Sequence, residues 1–233
     1  MISLLPLSSL GMVWAREMVI EHHYLHAPVD ARTMPEGYAV RIAEWREPVG
    51  VLLFGRPEAT RCYPWYGGLP DIAAGRAEVT RWQVLNLSRV YLDSIVQPGG
   101  LCYGPQALPG FVDRRGVWRS TLASTVLRLA SERIGFEYLL RRPPCFLNEP
   151  YEIRWLLSYC DTRLHRGTIY AASGFELYRT NGRGIQTWRI RLPALTAEQD
   201  AEVREASEFD ARARRFRANR LCTDMQMPLL VFS

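Results

Sequence analysis

The sequence predicts a mixed α/β (α+β) domain, and three observations carry that prediction. Short apolar runs bounded by Gly, Pro or Asn alternate with helical segments, in the order strand, strand, helix, strand, helix, strand, strand. A chain of 233 residues with 48% hydrophobic content suits one large core. No G-x-G-x-x-G follows a strand, so a dinucleotide-binding sheet is not expected. The expected division is a main catalytic domain over residues 1–195 and a helical appendage over residues 196–233.

Residues 49–56 (VGVLLFGR) follow a turn-like Glu-Pro and read as the first strand. Residues 61–75 are rich in Gly, Pro and aromatics and read as a loop. Residues 82–92 (WQVLNLSRVYL) form a second, β-rich strand, and residues 97–116 a long irregular excursion of the kind usually tied to function. Ser120 caps a helix to about Arg133, with Leu122, Val126 and Leu129 on one face and Gly135 as its stop. Residues 141–150 are a proline-bearing connector. Residues 153–160 (IRWLLSYC) are nearly all apolar, as a central strand requires. A short helix at residues 166–173 ends at Gly174, and strands 175–179 and 185–192 meet at a turn on Asn181-Gly182. Residues 196–220 form a charged helix, with Thr196 and Gln199 at capping-box spacing. Its Arg212, Arg214, Arg215, Arg217 and Arg220 form either a solvated face or a nucleic-acid contact.

All 29 basic residues are arginine. The chain therefore has no lysine for a Schiff base, a phosphate loop or general-base work. Arginine-only usage follows from a GC-rich coding sequence and equally suits bidentate phosphate contacts. A net charge of +5 and a pI of about 9.1 fit an anionic partner. The five cysteines form no C-x-x-C pair, which argues for reduced thiols rather than disulfides or a cysteine zinc site. The apolar start, residues 2–10, is broken by Pro6, Ser8 and Ser9 and lacks a basic leader, so no signal peptide is expected. No run reaches the roughly 18–20 apolar residues of a membrane span. The expectation is a cytoplasmic protein without a membrane partner.

Four constellations could carry chemistry. Three of the four histidines fall in Glu21-His22-His23-Tyr24-Leu25-His26, where imidazoles can supply a base or ligate a metal and Tyr24 can relay a proton. If that segment is extended, His22, Tyr24 and His26 share one face; a surface or capping role is the plainer alternative. Ser158-Tyr159-Cys160-Asp161 then His165 to Tyr170 puts Asp161 at a strand end facing a helix, where α/β sheets place polar catalysts. Asp161 and His165 could pair, or Asp161 could simply cap the helix. Asp113-Arg114-Arg115-Gly116-Val117-Trp118-Arg119-Ser120 leads into a helix and could cradle phosphate, or be an exposed basic loop. In Asn86-Leu87-Ser88-Arg89, strand alternation puts Ser88 and Arg89 on opposite faces, and the arginine needs a carboxylate or phosphate partner.

Together these residues resemble the Mom family of bacteriophage DNA-modification proteins. The family's Ser-Tyr-x-Asp motif and its downstream Gly and Tyr are matched by Ser158, Tyr159, Asp161, His165, Gly167, Tyr170 and Ala171. His23-Tyr24 matches its N-terminal His-Tyr, Leu87-Ser88-Arg89 its Leu-x-Arg strand, and residues 120–130 its serine-bearing helix. The resemblance spans roughly residues 20–192. It implies a GNAT-like mixed sheet, flanked by helices and splayed between two central strands, with a donor in the wedge. It also implies conversion of DNA adenine to N6-carbamoylmethyladenine, which shields phage DNA from restriction. The protein would then be phage- or prophage-encoded and act in a bacterial cytoplasm.

On that resemblance the catalytic set is His23, Tyr24, Asp161 and Tyr170, with Asp161 or His23 as base. Ser88, Arg89, Arg119 and Ser120 would hold the donor. Arg114, Arg115, Trp118, His165 and Arg166 would contact double-stranded DNA whose target adenine is flipped out. The donor is unassigned: an acyl-CoA-type donor and an iron bound by His22 or His23 are both compatible. The sequence departs from GNAT phosphate loops at Arg115-Gly116-x-Trp118, where an indole replaces a small residue and would crowd a pyrophosphate. The excursion at 97–116 would then be a DNA-facing insertion, with Trp118 or Tyr103 stacking on a base. The competing expectations are a GNAT N-acyltransferase acting on a small amine or protein, and a non-catalytic DNA-binding accessory protein.

Overall fold

The structure, a computed structural model, describes residues 2–23, 36–43, 45–57, 66–67, 69–96, 110–112, 114–116, 118–144 and 151–225. In chain order these form β1 (Ile2–Pro6), α1 (Ser9–His22), β2 (Glu36–Ile42), β3 (Gly50–Gly55), β4 (Tyr66–Gly67), α2 (Leu69–Ala73), β5 (Val79–Thr80), β6 (Val84–Leu92) and β7 (Gly110–Val112). There follow β8 (Trp118–Ser120), α3 (Leu122–Arg141), β9 (Trp155–Asp161), α4 (Thr168–Ala172), β10 (Glu176–Thr180), β11 (Ile185–Arg191) and α5 (Ala197–Met225).

Among the described residues, seven strands make one sheet in the order β1-β2-β3-β6-β9-β11-β10. Every neighbouring pair is antiparallel except β6 and β9, which run parallel. The first four strands are thus a meander, α3 is the crossover that parallel pairing demands, and a hairpin closes the far edge. This is the mixed sheet flanked by helices that the sequence predicts. Two small ribbons lie outside it, β4–β5 and β7–β8.

Both faces of the sheet are covered, which is why its middle strands read as unbroken apolar runs. On one face Leu85, Leu87, Leu156 and Cys160 pack with Leu122, Val126, Leu127, Ala130 and Ile134 of α3. Tyr170 of α4 and Val203 of α5 join the same core. On the other face Met12, Ala15 and Val19 of α1 cover Val51 and Leu53 of β3. The charged helix is therefore fastened at its start: Val203 is fully buried, Ser207 donates to the Pro144 carbonyl, and Tyr151 donates to Asp200.

Three parts of the structure differ from the sequence-based expectation. β1, α1 and β2 were not expected: β1 holds Pro6 and buries only Leu4, α1 buries only Met12, Ala15 and Val19, and the charged Glu36 and Arg41 interrupt the pattern of the buried β2. Gly135 does not stop α3, which continues to Arg141. A helical glycine costs about 1 kcal/mol, and the burial of Ile134, Tyr138 and Leu139 around it outweighs that. The β10–β11 connection spans 181–184 rather than two residues. The Asn181 carboxamide accepts from Arg183 N and Ile185 N, and Gly184 takes φ +77°.

The last turn of α3 is anchored to β2 by charge. Glu36 is 5% exposed, and its two oxygens accept from Arg141 and Arg142, each at 2.9 Å. Glu137 accepts from the Tyr38 hydroxyl at 2.8 Å and pairs with Arg133 and Arg141. Burial, then the Glu137 carboxylate, pushes the Tyr38 hydroxyl pKa well up, so it stays protonated and donating. Glu36→Ala removes a shared carboxylate, leaving Arg141 with Glu137 alone and Arg142 half-exposed. It should lower unfolding free energy by about 1–2 kcal/mol, read as a shift in urea midpoint at unchanged m-value.

Candidate functional site: the splay between β6 and β9

β6 and β9 pair only from Val84↔Trp155 to Leu87↔Ser158. Beyond that point β6 runs on to Leu92 beside β3, and β9 runs on to Asp161 beside β11. The cause lies on β6. Leu53 of β3 is opposite Arg89 and Phe54 is opposite Leu87, so Ser88 is an extra residue in the ladder. Such a bulge bends its strand and raises local twist, turning the far half of β6 away from β9. It also resets the alternation: Leu87 and Val90 both face the α3 side, with two residues between them. Ser88 and Arg89 therefore do not sit on opposite faces as regular alternation predicts. The bulge is held by Asn86 Nδ2, which donates to Ser88 Oγ at 2.8 Å, and by Arg89 Nη1, which donates to the Ser88 carbonyl at 2.7 Å.

The other lip is tied at the fork itself. Ser158, 2% exposed, donates to the Leu87 carbonyl at 3.1 Å, and its oxygen lies 2.9 Å from the Tyr170 hydroxyl. A serine has one hydroxyl hydrogen and the carbonyl can only accept, so Tyr170 is the donor to Ser158. The Tyr170 ring stacks on Trp188 (5.9 Å, 25°) and meets Phe175 edge-on (5.6 Å, 62°). Trp188 is itself fixed by Nε1 donating to Gln186 at 3.1 Å. Gly167 precedes α4 with φ +68°, and a Cβ there would come within 2.6 Å of the Trp188 ring. Trp188 and Gln186 escaped the sequence analysis; a tryptophan in an otherwise polar strand was the available signal.

The histidine segment reaches the diverging half of β6. It is helical through His22 rather than extended, and His23 caps α1 with its N–H on the Val19 carbonyl at 2.9 Å. His22 stacks on Tyr91 of β6 (5.5 Å, 18°) and lies 3.6 Å from Glu21; His23 is 8% exposed. Tyr24 and His26 lie outside the described residues, as does Tyr103. Ser88-Arg89 and Ser158 to Tyr170 thus meet at one fork, while His22 packs on the diverging half of β6.

Other candidates fall elsewhere. The Asp161 carboxylate is clasped by Arg163 through its guanidinium (Nη2 at 2.6 Å) and its backbone N–H (3.0 Å). These hydrogen bonds pull its pKa down to about 2, which makes it a weak proton acceptor. His165 meets Asp161 through backbone, its N–H on the Asp161 carbonyl at 2.9 Å, and Arg166 is exposed beside it. Arg114, Arg115 and Gly116 form the exposed tip of the β7–β8 hairpin. They do not abut the N-terminus of α3, because Trp118, Arg119 and Ser120 intervene as β8. Ser120 Oγ accepts from Leu122 N at 3.2 Å, so it serves the helix start, as expected of a cap. On α5, Arg204, Arg212 and Arg214 pair with Asp200, Glu208 and Asp210 four residues back. Among the described residues no three His, Cys, Asp or Glu side chains converge as metal ligands, and no helix is long and apolar enough to cross a membrane.

Gly167→Ala forces a left-handed side chain against an indole. It should cost about 1–3 kcal/mol and alter the Trp188 fluorescence of the folded protein. The lowered Asp161 pKa adds stability that is complete above the unfolded carboxylate value of about 4 and is lost as pH falls through about 2. Asp161→Asn should therefore flatten the fall in urea midpoint over that acid range relative to wild type.

No known protein family's sequence profile matches the chain, and no curated protein resembles it closely. Among solved structures it is similar to a CoA-dependent acyl-homoserine lactone synthase, MesI, at 15% identity, over 85% of this chain and 88% of that one, with a TM-score of 0.36. At that TM-score the architecture rests on the chain's own strand order and register.

Proposed function

We propose that this protein is a group transferase that moves a group from a donor held in the β6–β9 wedge to an amine, and that the amine is N6 of adenine in DNA. The observation that carries the transferase reading is the fork: parallel pairing that stops at Leu87 and Ser158, with a polar cluster on both lips. The β9-facing edge of β6 past Leu87 offers backbone groups to an extended, amide-bearing donor arm such as that of an acyl-CoA. A thioester of this kind would supply an acyl group; a carbamoylmethyl product requires a donor whose leaving group departs from its methylene carbon as the N6–CH2 bond forms.

The chain's own residues supply proton handling. Tyr170, oriented by Ser158 and clamped by Trp188, would donate its proton to the leaving group on releasing its hydrogen bond to Ser158. The adenine N6 lone pair is delocalised into the ring, so bond formation needs a base for its proton. With Asp161 committed to Arg163, that base is the imidazole of His23. The choice of DNA adenine as acceptor draws on the Mom-like residues together with the net charge of +5.

The test is mass spectrometry of nucleosides from plasmid DNA of cells expressing wild type or Tyr170→Phe. A deoxyadenosine heavier by one carbamoylmethyl group in wild type, reduced at least tenfold in the variant, is the expected result. Unmodified adenine with soluble, folded wild-type protein would remove DNA as the acceptor and turn the reading to a small amine.

A further inference from the structure

Asn86 sits one residue before the last paired position of β6, opposite Leu157 of β9, at the base of the fork. Its amide is half used. Nδ2 donates to Ser88 Oγ, whereas Oδ1 is buried and accepts no hydrogen bond among the described residues. Leaving a buried carbonyl oxygen unmade costs about 1–3 kcal/mol, and buried polar atoms are otherwise almost always satisfied. An apolar side chain would sit easily here, since the neighbours Val84 and Leu157 are fully buried in one cluster with Val79 and Trp155. The strand thus carries a buried, unsatisfied amide acceptor where the paired part of the sheet meets the fork.

Resting on the reading above, we propose that Asn86 is the residue that recognises the acceptor, its Oδ1 accepting an N–H of the adenine 6-amino group. Three features fit. Asn86 lies on the α1-facing side of the sheet, away from the face that carries Ser158 and Tyr170, so acceptor and leaving-group proton donor occupy opposite sides of the fork. The carboxamide is planar and matches the donor–acceptor edge of adenine. The hydrogen bond to Ser88 holds the carboxamide in place with its oxygen unpaired. Holding N6 by one hydrogen leaves the other to be removed when the new bond forms.

The experiment compares binding of a twelve-nucleotide oligodeoxyadenylate with the same strand built from purine, which lacks the 6-amino group, to wild type and Asn86→Leu. Wild type should prefer the adenine strand by about tenfold, and Asn86→Leu should bind both strands alike, at the wild-type affinity for the purine strand. Asn86→Leu removes an unsatisfied buried oxygen, so it should melt within a few degrees of wild type or above it. A clear drop in Tm would mark Asn86 as structural and overturn the assignment. So would equal binding of the two strands by wild type, or a preference that survives in the variant; both leave the transferase reading standing. Failure of wild type to bind either strand would overturn the assignment and the choice of DNA as substrate together.

Discussion

Everything at the site depends on one irregularity, the extra residue at Ser88. Without it β6 would keep its register with both neighbours, and β9 would pair along its whole length, leaving a closed sheet. With it, the strand turns after Leu87 and the sheet opens while each lip stays bonded to its outer neighbour. Opening a sheet internally exposes backbone groups that normally satisfy each other, which is costly. The serine clasp limits that cost. Ser158 reaches across the fork to the Leu87 carbonyl, so the separation begins at a fixed point and does not propagate toward Val84 and Trp155.

The clasp also makes Tyr170 a precise group. A tyrosine on a five-residue helix has little local stability, since one turn of helix does not hold itself. Here its position follows from tertiary contacts: the Ser158 hydrogen bond, the Trp188 stack, the Phe175 edge, and a glycine that lets Trp188 approach. The brace at the far end of α3 does related work at larger scale. Glu36, Tyr38 and Glu137 hold the crossover helix against β2 through Arg133, Arg141 and Arg142. That helix carries the core against which Leu85, Leu87 and Leu156 are packed, so the fork sits on a rigid base.

The central strands, the crossover helix and the β10–β11 hairpin were legible because each is buried on both faces or has a regular period. β1, α1 and β2 were not: β1 and α1 bury few residues, and in β2 Glu36 pairs its charge with the sequence-distant Arg141 and Arg142, which a linear pattern does not show. The motifs at Ser88, Ser158 and Tyr170 were visible as residue types, but their meeting point was not. It depends on the bulge, and no local signal distinguishes Ser88 from any other strand serine. The same holds for Asp161. Its position at a strand end was readable, whereas its capture by Arg163 two residues on depends on how the turn folds back. Under the proposed reading, that capture moves the role of base from Asp161, the residue with the best motif match, to His23 at the end of α1.

Charge can be argued the same way. A net charge of +5 spread over arginines says little until their partners are known. Several described arginines are neutralised locally: Arg76 by Asp71, Arg128 by Glu132, Arg204 by Asp200, Arg212 by Glu208 and Arg214 by Asp210. Through Arg214, α5 carries six carboxylates and three arginines, so this stretch is acidic rather than a basic arm. Arg114 on the β7–β8 tip and Arg166 on the turn before α4 are exposed and lie in connections flanking the crossover helix and β9. On the proposed reading, such exposed arginines would meet the DNA phosphates. Phosphate contacts of this kind set position and leave base choice to groups in the fork, which is the role that Asn86 would fill.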